Sequence, residues 1–251
     1  VQRINQIASE RRSLKLVREC HRLLSVRAEA NSPAIAQSII NEIAELTETE
    51  QDALFGALAR EFSPDPKAVL KAAESYAATP NASTLAALSN IAEPPRQELF
   101  RRLNRAPGGT AALVGLRRQM LRRLARNSEW QSAEADMLHL LSSWFNPGFL
   151  QMRRVDWNSP AHLLEQIIQH EAVHAVDGWD DLRRRLQPDR RCFAFFHPQL
   201  ADVPLIFVEV ALVAAMPDAI APLIDKNSEI TPPKQFRVAA FYSISNCEPG
   251  L

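Results

Sequence analysis

Cysteine, lysine, an excess of either charge and long apolar runs are all scarce or missing in this chain. The three cysteines, Cys20, Cys192 and Cys247, are odd in number, far apart and without a CxxC pair. That spacing argues against a disulfide framework and for a reducing compartment. The 29 basic residues are matched by 29 acidic ones, which removes the usual electrostatic warrant for non-specific nucleic-acid binding. No apolar run reaches the length that spans a membrane. The opening VQRINQIASERRSLK has no apolar core of the signal-peptide kind, so a cytoplasmic location is expected. It also lacks an initiator Met, so the natural N-terminus is expected further upstream. Lysine occurs only at 15, 67, 71, 226 and 234. The cationic side is therefore mostly arginine, which suits bidentate carboxylate and phosphate contacts and is equally a mark of a GC-rich genome.

A hydrophobic content of 46% over 251 residues is ample for one large or two ordinary packed domains. The pattern divides near Asn146-Pro147-Gly148, giving expected domains of 1–148 and 149–251. Before that point nearly everything reads as helix. Ile4, Ile7, Leu14, Val17, Cys20 and Leu24 recur at helical spacing. Ser32-Pro33 reads as a cap and first-turn proline before Ile35, Ile39 and Ile43. Thr47-x-x-Glu50 reads as a capping box and Asp65-Pro66 as another helix start. Thr110 and Ser128 read as caps of two further helices. No fixed-period repeat is evident, so a helical bundle is expected rather than a solenoid. The arginines at 117, 118, 122, 123 and 126 read as the solvated back of an amphipathic helix more readily than as a phosphate stripe. Gly108-Gly109-Thr110 has no following Lys and reads as a helix stop and cap, not a phosphate loop.

After Gly148 the period changes. Residues 149–157 can form a strand. Ser159-Pro160 opens a helix expected to run to about Val176, with Gly178 ending it, and 179–186 form a short second helix. Residues 192–197, 205–213 and 237–245, rich in β-branched and aromatic side chains, read as strands, with a helical turn near 218–224. The expected class is α+β: an all-α bundle followed by strand, helix, helix, strand, strand, strand. That order resembles the first half of a GNAT-type acetyltransferase domain. In such a domain the fourth strand leads into a glycine-bearing loop and a helix N-terminus that holds the coenzyme A pyrophosphate. Here the fourth strand is AFYSIS, and 246–251 would be the loop entrance.

Four groups of residues invite chemistry. His170-Glu171-x-x-His174 matches the zinc-protease pattern, in which two histidines one helical turn apart face a metal. No third ligand follows closely, so the preferred reading packs His174 and Val173 toward the sheet and leaves His170 and Glu171 exposed. Asp189-Arg190-Arg191 is either an arginine clamp for a phosphate or carboxylate or a salt bridge fixing a turn. His197 ends a strand, where it can line a cleft or make a structural hydrogen bond. Alternation sets Phe207, Glu209 and Ala211 on one face of their strand, and a mid-strand carboxylate such as Glu209 must be paired or wet. The same rule sets Phe241, Ser243 and Ser245 together, opposite Tyr242 and Ile244. The two hydroxyls are placed to contact a thioester or pantetheine, but no general base lies near them in sequence, which argues against a nucleophile.

The runs RRCFAFFHP, PLIFVEVAL and FYSISNC, with EAVH and APGGTAALVGLRRQML, resemble the malonyl-CoA decarboxylase family. The resemblance covers most of the chain and is strongest from Trp157 to Leu251. It implies conversion of malonyl-CoA to acetyl-CoA and CO₂, a carboxy-lyase reaction, with coenzyme A entering as part of the substrate and no metal or organic cofactor. It implies a helical domain that serves homo-oligomeric assembly and an acetyltransferase-like domain that does the chemistry. The family's catalytic serine and histidine are expected beyond Leu251, so no catalytic role is carried onto any residue here. The substrate-binding candidates are Ser243, Ser245, Glu209, His197, Gly250 and Leu251. The alternative is a non-catalytic helical assembly or regulatory module.

Overall fold

The computed structural model describes residues 2–25 and 31–248, with side chains from Arg11 onward. It divides into two compact units, Val1–Trp144 and Phe145–Leu251. Ile4 and Ile7 lie outside the described side chains, and Gly250 and Leu251 outside the described residues.

The first unit is helical throughout its described residues: α1 (Gln2–Leu24), α2 (Ser32–Ala44), α3 (Glu48–Arg60), α4 (Pro66–Ala78), α5 (Ala82–Ala92), α6 (Pro95–Asn104), α7 (Gly109–Leu124) and α8 (Gln131–Trp144). α1 packs on α2, α3 and α6, and α6 packs on α7 and α8. Leu16, Leu23, Ile39, Leu54, Phe55, Leu58, Phe62, Leu99, Phe100, Met120 and Leu141 form the buried interior. The α1 stripe is Leu16, Val17, Cys20 and Leu23, while Leu14 stands 61% exposed. A buried cation joins three helices. Arg96 is paired with Asp136 of α8, and its Nη1 donates to Ser63 Oγ at 2.8 Å and the Leu58 carbonyl at 3.3 Å.

Local chemistry sets several starts. Thr47 accepts from the Glu50 N–H while Glu50 Oε2 accepts from the Thr47 N–H at 2.8 Å, a complete capping box. Asp65 accepts from the Lys67 N–H at 3.0 Å, with Pro66 in the first turn. Other starts differ from expectation. Asn31, not Ser32, is the residue before α2, and it supplies no side-chain cap bond. Gly108, at φ 74°, is the residue before α7, whereas Thr110 donates to Asn104 Oδ1 at 2.7 Å. A Cβ on Gly109 would lie 2.0 Å from the Leu103 carbonyl oxygen, so this close helix approach admits only glycine. Ser128 opens a 3₁₀ turn, Ser128–Trp130, without capping it. Arg117 is not on a solvated back: it is buried and donates to Glu134 of α8 at 2.6 and 3.0 Å. The neighbouring helix supplies the countercharge that makes its burial tolerable.

The second unit is an antiparallel sheet of four strands in the order β1 (Gln151–Val155), β2 (Arg190–Phe196), β3 (Pro204–Val213) and β4 (Val238–Asn246). α9 (Ala161–His170) and α10 (Gly178–Arg185) lie between β1 and β2, and the short α11 (Ala221–Ile224) between β3 and β4. One sheet face is packed, with Val155, Leu164, Ile167, Leu182, Cys192, Ala194, Phe196, Phe207 and Cys247 forming its core. The opposite face carries Met152, Phe241 and Ile244, each at least 60% exposed. α9 stops at His170, six residues short of expectation. Glu171 Oε1 accepts from the N–H groups of Val173 and His174, both at 2.9 Å, and so removes donors that would continue the helix. Gly178, at φ 72°, opens α10 instead of closing α9. The FYSIS alternation also breaks: Glu209 pairs with Ser243 but Val210 with Phe241. This β-bulge leaves Tyr242 unpaired and moves Phe241 away from the serine face.

The capping box gives a direct stability test. Thr47→Ala should destabilise the helical unit by about 1 kcal/mol, read as a lower urea midpoint at unchanged m-value.

Candidate functional site

A polar cluster sits under the packed face, where apolar residues would otherwise be expected. Register fixes its first row: Cys192, Glu209 and Ser243 lie side by side across β2, β3 and β4. Phe207 and Ser245 form the next pair. Glu209 and Ser245 are 1% exposed and Ser243 is 3% exposed.

Glu171 reaches this row from the end of α9. Ser243 Oγ donates to its carboxylate at 2.8–2.9 Å and Ser245 Oγ at 3.1 Å. Ser245 Oγ also accepts from the Ala172 N–H at 3.2 Å. A carboxylate therefore does lie beside the two hydroxyls, 72 residues earlier in sequence. Its lone pairs are occupied by two hydroxyls and two loop N–H groups, and Glu171 itself is buried. The expectation that Glu171 is exposed and Val173 packed is reversed, since Val173 is 51% exposed. Burial of the Glu171 carboxylate is tolerated because two hydroxyls and two loop N–H groups replace its water.

Arg185 closes the cluster from α10. Its Nη1 donates to Glu209 Oε2 at 2.9 Å, its Nε to Asp181 Oδ1 at 3.1 Å, and its Nη2 to the carbonyls of His174 and Ala175 at 2.9 and 3.3 Å. Burial disfavours the guanidinium charge, but Asp181 and Glu209 outweigh it and hold its pKa above the ordinary value. Burial dominates at Glu209 and pushes its pKa up to about 7. Arg185 opposes that shift, and the Glu171 charge adds to it. Glu209 Oε1 and the Tyr242 hydroxyl are buried without a hydrogen bond at ordinary length, although the hydroxyl is near enough to favour the Glu209 charge.

A second buried network resolves the Asp189-Arg190-Arg191 alternatives. Asp189 is fully buried and takes a two-pronged contact from Arg184 at 2.8 and 2.9 Å, one from Arg190 at 2.8 Å and the Thr231 N–H at 3.1 Å. These donors hold its pKa below the usual carboxylate value despite burial. Arg190 also donates to the Leu223 carbonyl. This is a salt bridge fixing the turn, and it leaves Arg190 committed. His197 Nδ1 accepts from the Gln199 N–H at 3.2 Å and its ring sits 4.5 Å from that of Phe145, the structural hydrogen bond of the two readings. Because α9 ends at His170, the two histidines of the HExxH pattern do not share a helical turn. Among the described residues no three His, Cys, Asp or Glu side chains gather as a metal site. Ser243, Ser245 and Glu209 are thus brought together, His197 stands apart at the far end of β2, and Glu171 and Arg185 are cluster members that sequence reasoning missed.

Residues 62–145 match the family model of the malonyl-CoA decarboxylase N-terminal domain and residues 148–251 that of its C-terminal domain. The chain belongs to the malonyl-CoA decarboxylase family. It is similar to the malonyl-CoA decarboxylase of Rhodopseudomonas palustris, with a TM-score of 0.88 and 47% identity over 95% of this chain and 58% of that one. The Agrobacterium vitis structure gives 0.87 and 45% over 94% and 57%. The mitochondrial malonyl-CoA decarboxylase of Anser anser anser is 36% identical over 63% of this chain and that of Rattus norvegicus 35% over 61%. The chain spans about a third of the length of these curated relatives, 32% in each case.

Two outcomes follow from the buried charges. The folded pKa of Glu209 is raised above its unfolded value, so its proton favours the native state, fully below the unfolded value and lost as pH rises through about 7. Wild type should therefore lose on the order of 3 kcal/mol relative to Glu209→Gln between pH 4.5 and 8, measured as the difference between their urea unfolding free energies. Arg185→Met leaves Asp181 and Glu209 without their cation and should cost about 3–5 kcal/mol, read by thermal unfolding at pH 7.5.

Proposed function

We propose that this chain is the helical unit and the first half of the catalytic domain of an enzyme that decarboxylates malonyl-CoA to acetyl-CoA and CO₂. The observation that carries this reading is the similarity over 94–95% of the chain to two bacterial proteins solved under that name. The strand–helix–helix–strand–strand–strand order, antiparallel throughout, supports an acetyltransferase-type domain whose fourth strand is β4. The helical unit serves assembly with further copies of the chain. Three buried free thiols fit a reducing, cytoplasmic location, and no helix among the described residues is long and apolar enough to cross a membrane.

Departure of CO₂ leaves an enolate that must be held and then protonated. Hydrogen-bond donors aimed at the thioester oxygen commonly contribute about 3–4 kcal/mol each, and a general acid roughly 10²–10⁴-fold. By resemblance a serine and a histidine outside this chain perform these steps, without metal or organic cofactor. This chain's part is to shape the substrate side through Ser243, Ser245, Glu209 and His197, together with Gly250 and Leu251. Both serine hydroxyl protons are directed at Glu171. With those protons committed and both side chains buried, Ser243 and Ser245 shape the substrate side by positioning Glu171 rather than by donating to the thioester oxygen.

CO₂ release from malonyl-CoA should be absent with the 251-residue chain and present when the chain is extended along its natural reading frame. Inactivity of both would overturn the reading, and turnover by the chain alone would overturn the placement of the catalytic groups.

A further inference from the structure

Glu209 Oε1, the Tyr242 hydroxyl and Arg190 Nε are all buried without a hydrogen-bond partner among the described residues. Orphaned groups of this kind are rare, because each has given up its water without a replacement. These three belong to one neighbourhood. Tyr242 is 7% exposed, and its hydroxyl feels the charges of Glu209, Arg185 and Arg190. It therefore stands between the Arg185–Glu209–Asp181 network and the Arg184–Asp189–Arg190 network. Burial, and then the Glu209 charge, hold its pKa above the ordinary value, so it keeps its proton at neutral pH.

Donor counting shows what the three groups do together. Arg190 Nε–H is a donor, an ionised carboxylate oxygen is an acceptor, and a tyrosine hydroxyl is one donor and an acceptor. With Glu209 ionised, Arg190 gives to Tyr242, Tyr242 gives to Glu209 Oε1, and all three are satisfied. Arg185 Nη1 already occupies Glu209 Oε2, so a proton on Glu209 belongs on Oε1. Two donors then face the tyrosine oxygen, and the tyrosine's own proton has no acceptor.

We propose that Glu209, Tyr242 and Arg190 form a protonation-sensitive latch across β3, β4 and β2, closed when Glu209 is ionised and released when it is protonated. The β-bulge supplies the slack. Tyr242 has no register partner on β3, so it shifts without breaking the ladder. Closed, the latch joins the two ion networks. It ties the strand that carries Ser243 and Ser245 to the network that holds Ser228, Glu229 and Thr231. The surroundings set where it acts. Arg185 of α10 favours the Glu209 charge but is shared with Asp181, and Glu171 beyond α9 opposes it. Cys192 of β2, its pKa raised by burial, stays neutral. Burial outweighs Arg185 at Glu209 and places the change at about pH 7.

Tyr76 and Tyr242 are the two tyrosines of the chain, so carbon-13 labelling of the ring carbon that bears the hydroxyl gives one NMR signal for each. The Tyr242 signal should move between about pH 5 and pH 9, with Tyr76 of the helical unit as the reference. In Glu209→Gln it should stay still. Tyr242→Phe should lower the unfolding equilibrium constant roughly tenfold or more at about pH 8.5, where the bond is to a charge, and less at about pH 5.5. In the Glu209→Gln background its effect should be the same at both. A Tyr242 signal indifferent to pH, or one that moves as far in Glu209→Gln, would overturn the latch. If Glu209→Gln fails to fold, Tyr242→Phe decides: a cost that grows with pH supports the latch and a constant one overturns it.

Discussion

Arg185 is the interaction on which the second unit's interior turns. A guanidinium 2% exposed has lost its water, and isolated burial of that kind costs several kcal/mol. It is tolerable because its three nitrogens make five hydrogen bonds, to carboxylates on α10 and β3 and to two carbonyls of the 171–177 loop. The geometry is demanding. α10 must present Asp181 one turn before Arg185, β3 must aim Glu209 at the same point, and the loop must turn so that the His174 and Ala175 carbonyls face inward. Each condition fixes an element that hydrophobic packing alone would leave free to slide. One charge thereby sets the register of helix, loop and sheet together.

The same cation organises the electrostatics around it. Glu209 and Glu171 are both buried and close enough for their charges to repel, and one guanidinium serves Glu209. Glu171 instead relies on Ser243, Ser245 and its own loop amides. Two carboxylates thus meet different environments, one paired with a charge and one held by dipoles. The Arg184–Asp189–Arg190 network runs in parallel. There a fully buried anion gathers two cations and the Thr231 N–H, tying the segment before β4 to the α10–β2 turn. Between them the two networks anchor both ends of the chain that leads into β4, and β4 carries the two serines that hold Glu171.

Much of this frame was legible in the residues. Thr47-x-x-Glu50 and Asp65-Pro66 act locally, so their caps read directly from sequence. The four strands and two intervening helices follow from period and composition, and Glu209, isolated in an apolar strand, announced a pairing that Arg185 supplies. What sequence could not show depends on distance. Glu171 lies 72 residues from Ser243, and neither residue type alone marks the pair. The end of α9 depends on a carboxylate turning back onto its own loop, which periodicity does not register. Arg117 reads as solvated until Glu134 is placed beside it. At Phe241, strict alternation failed because a bulge inserts Tyr242, and nothing in FYSIS signals an extra residue.

Both units leave apolar surface in the open, and the two cases differ physically. The sheet's outer face is continuous with a ladder of strands and includes the edge strand β4, with Phe241 and Ile244 pointing out. Unpaired N–H and C=O groups along such an edge, beside exposed aromatic and branched side chains, attract further strands or helices of any origin. The α4–α5 hairpin is different, because its backbone hydrogen bonds are already satisfied within each helix. Only side-chain contact remains to be gained there, which is weaker and reversible. The sheet face therefore calls for backbone partners, whereas the hairpin face offers side-chain contact alone.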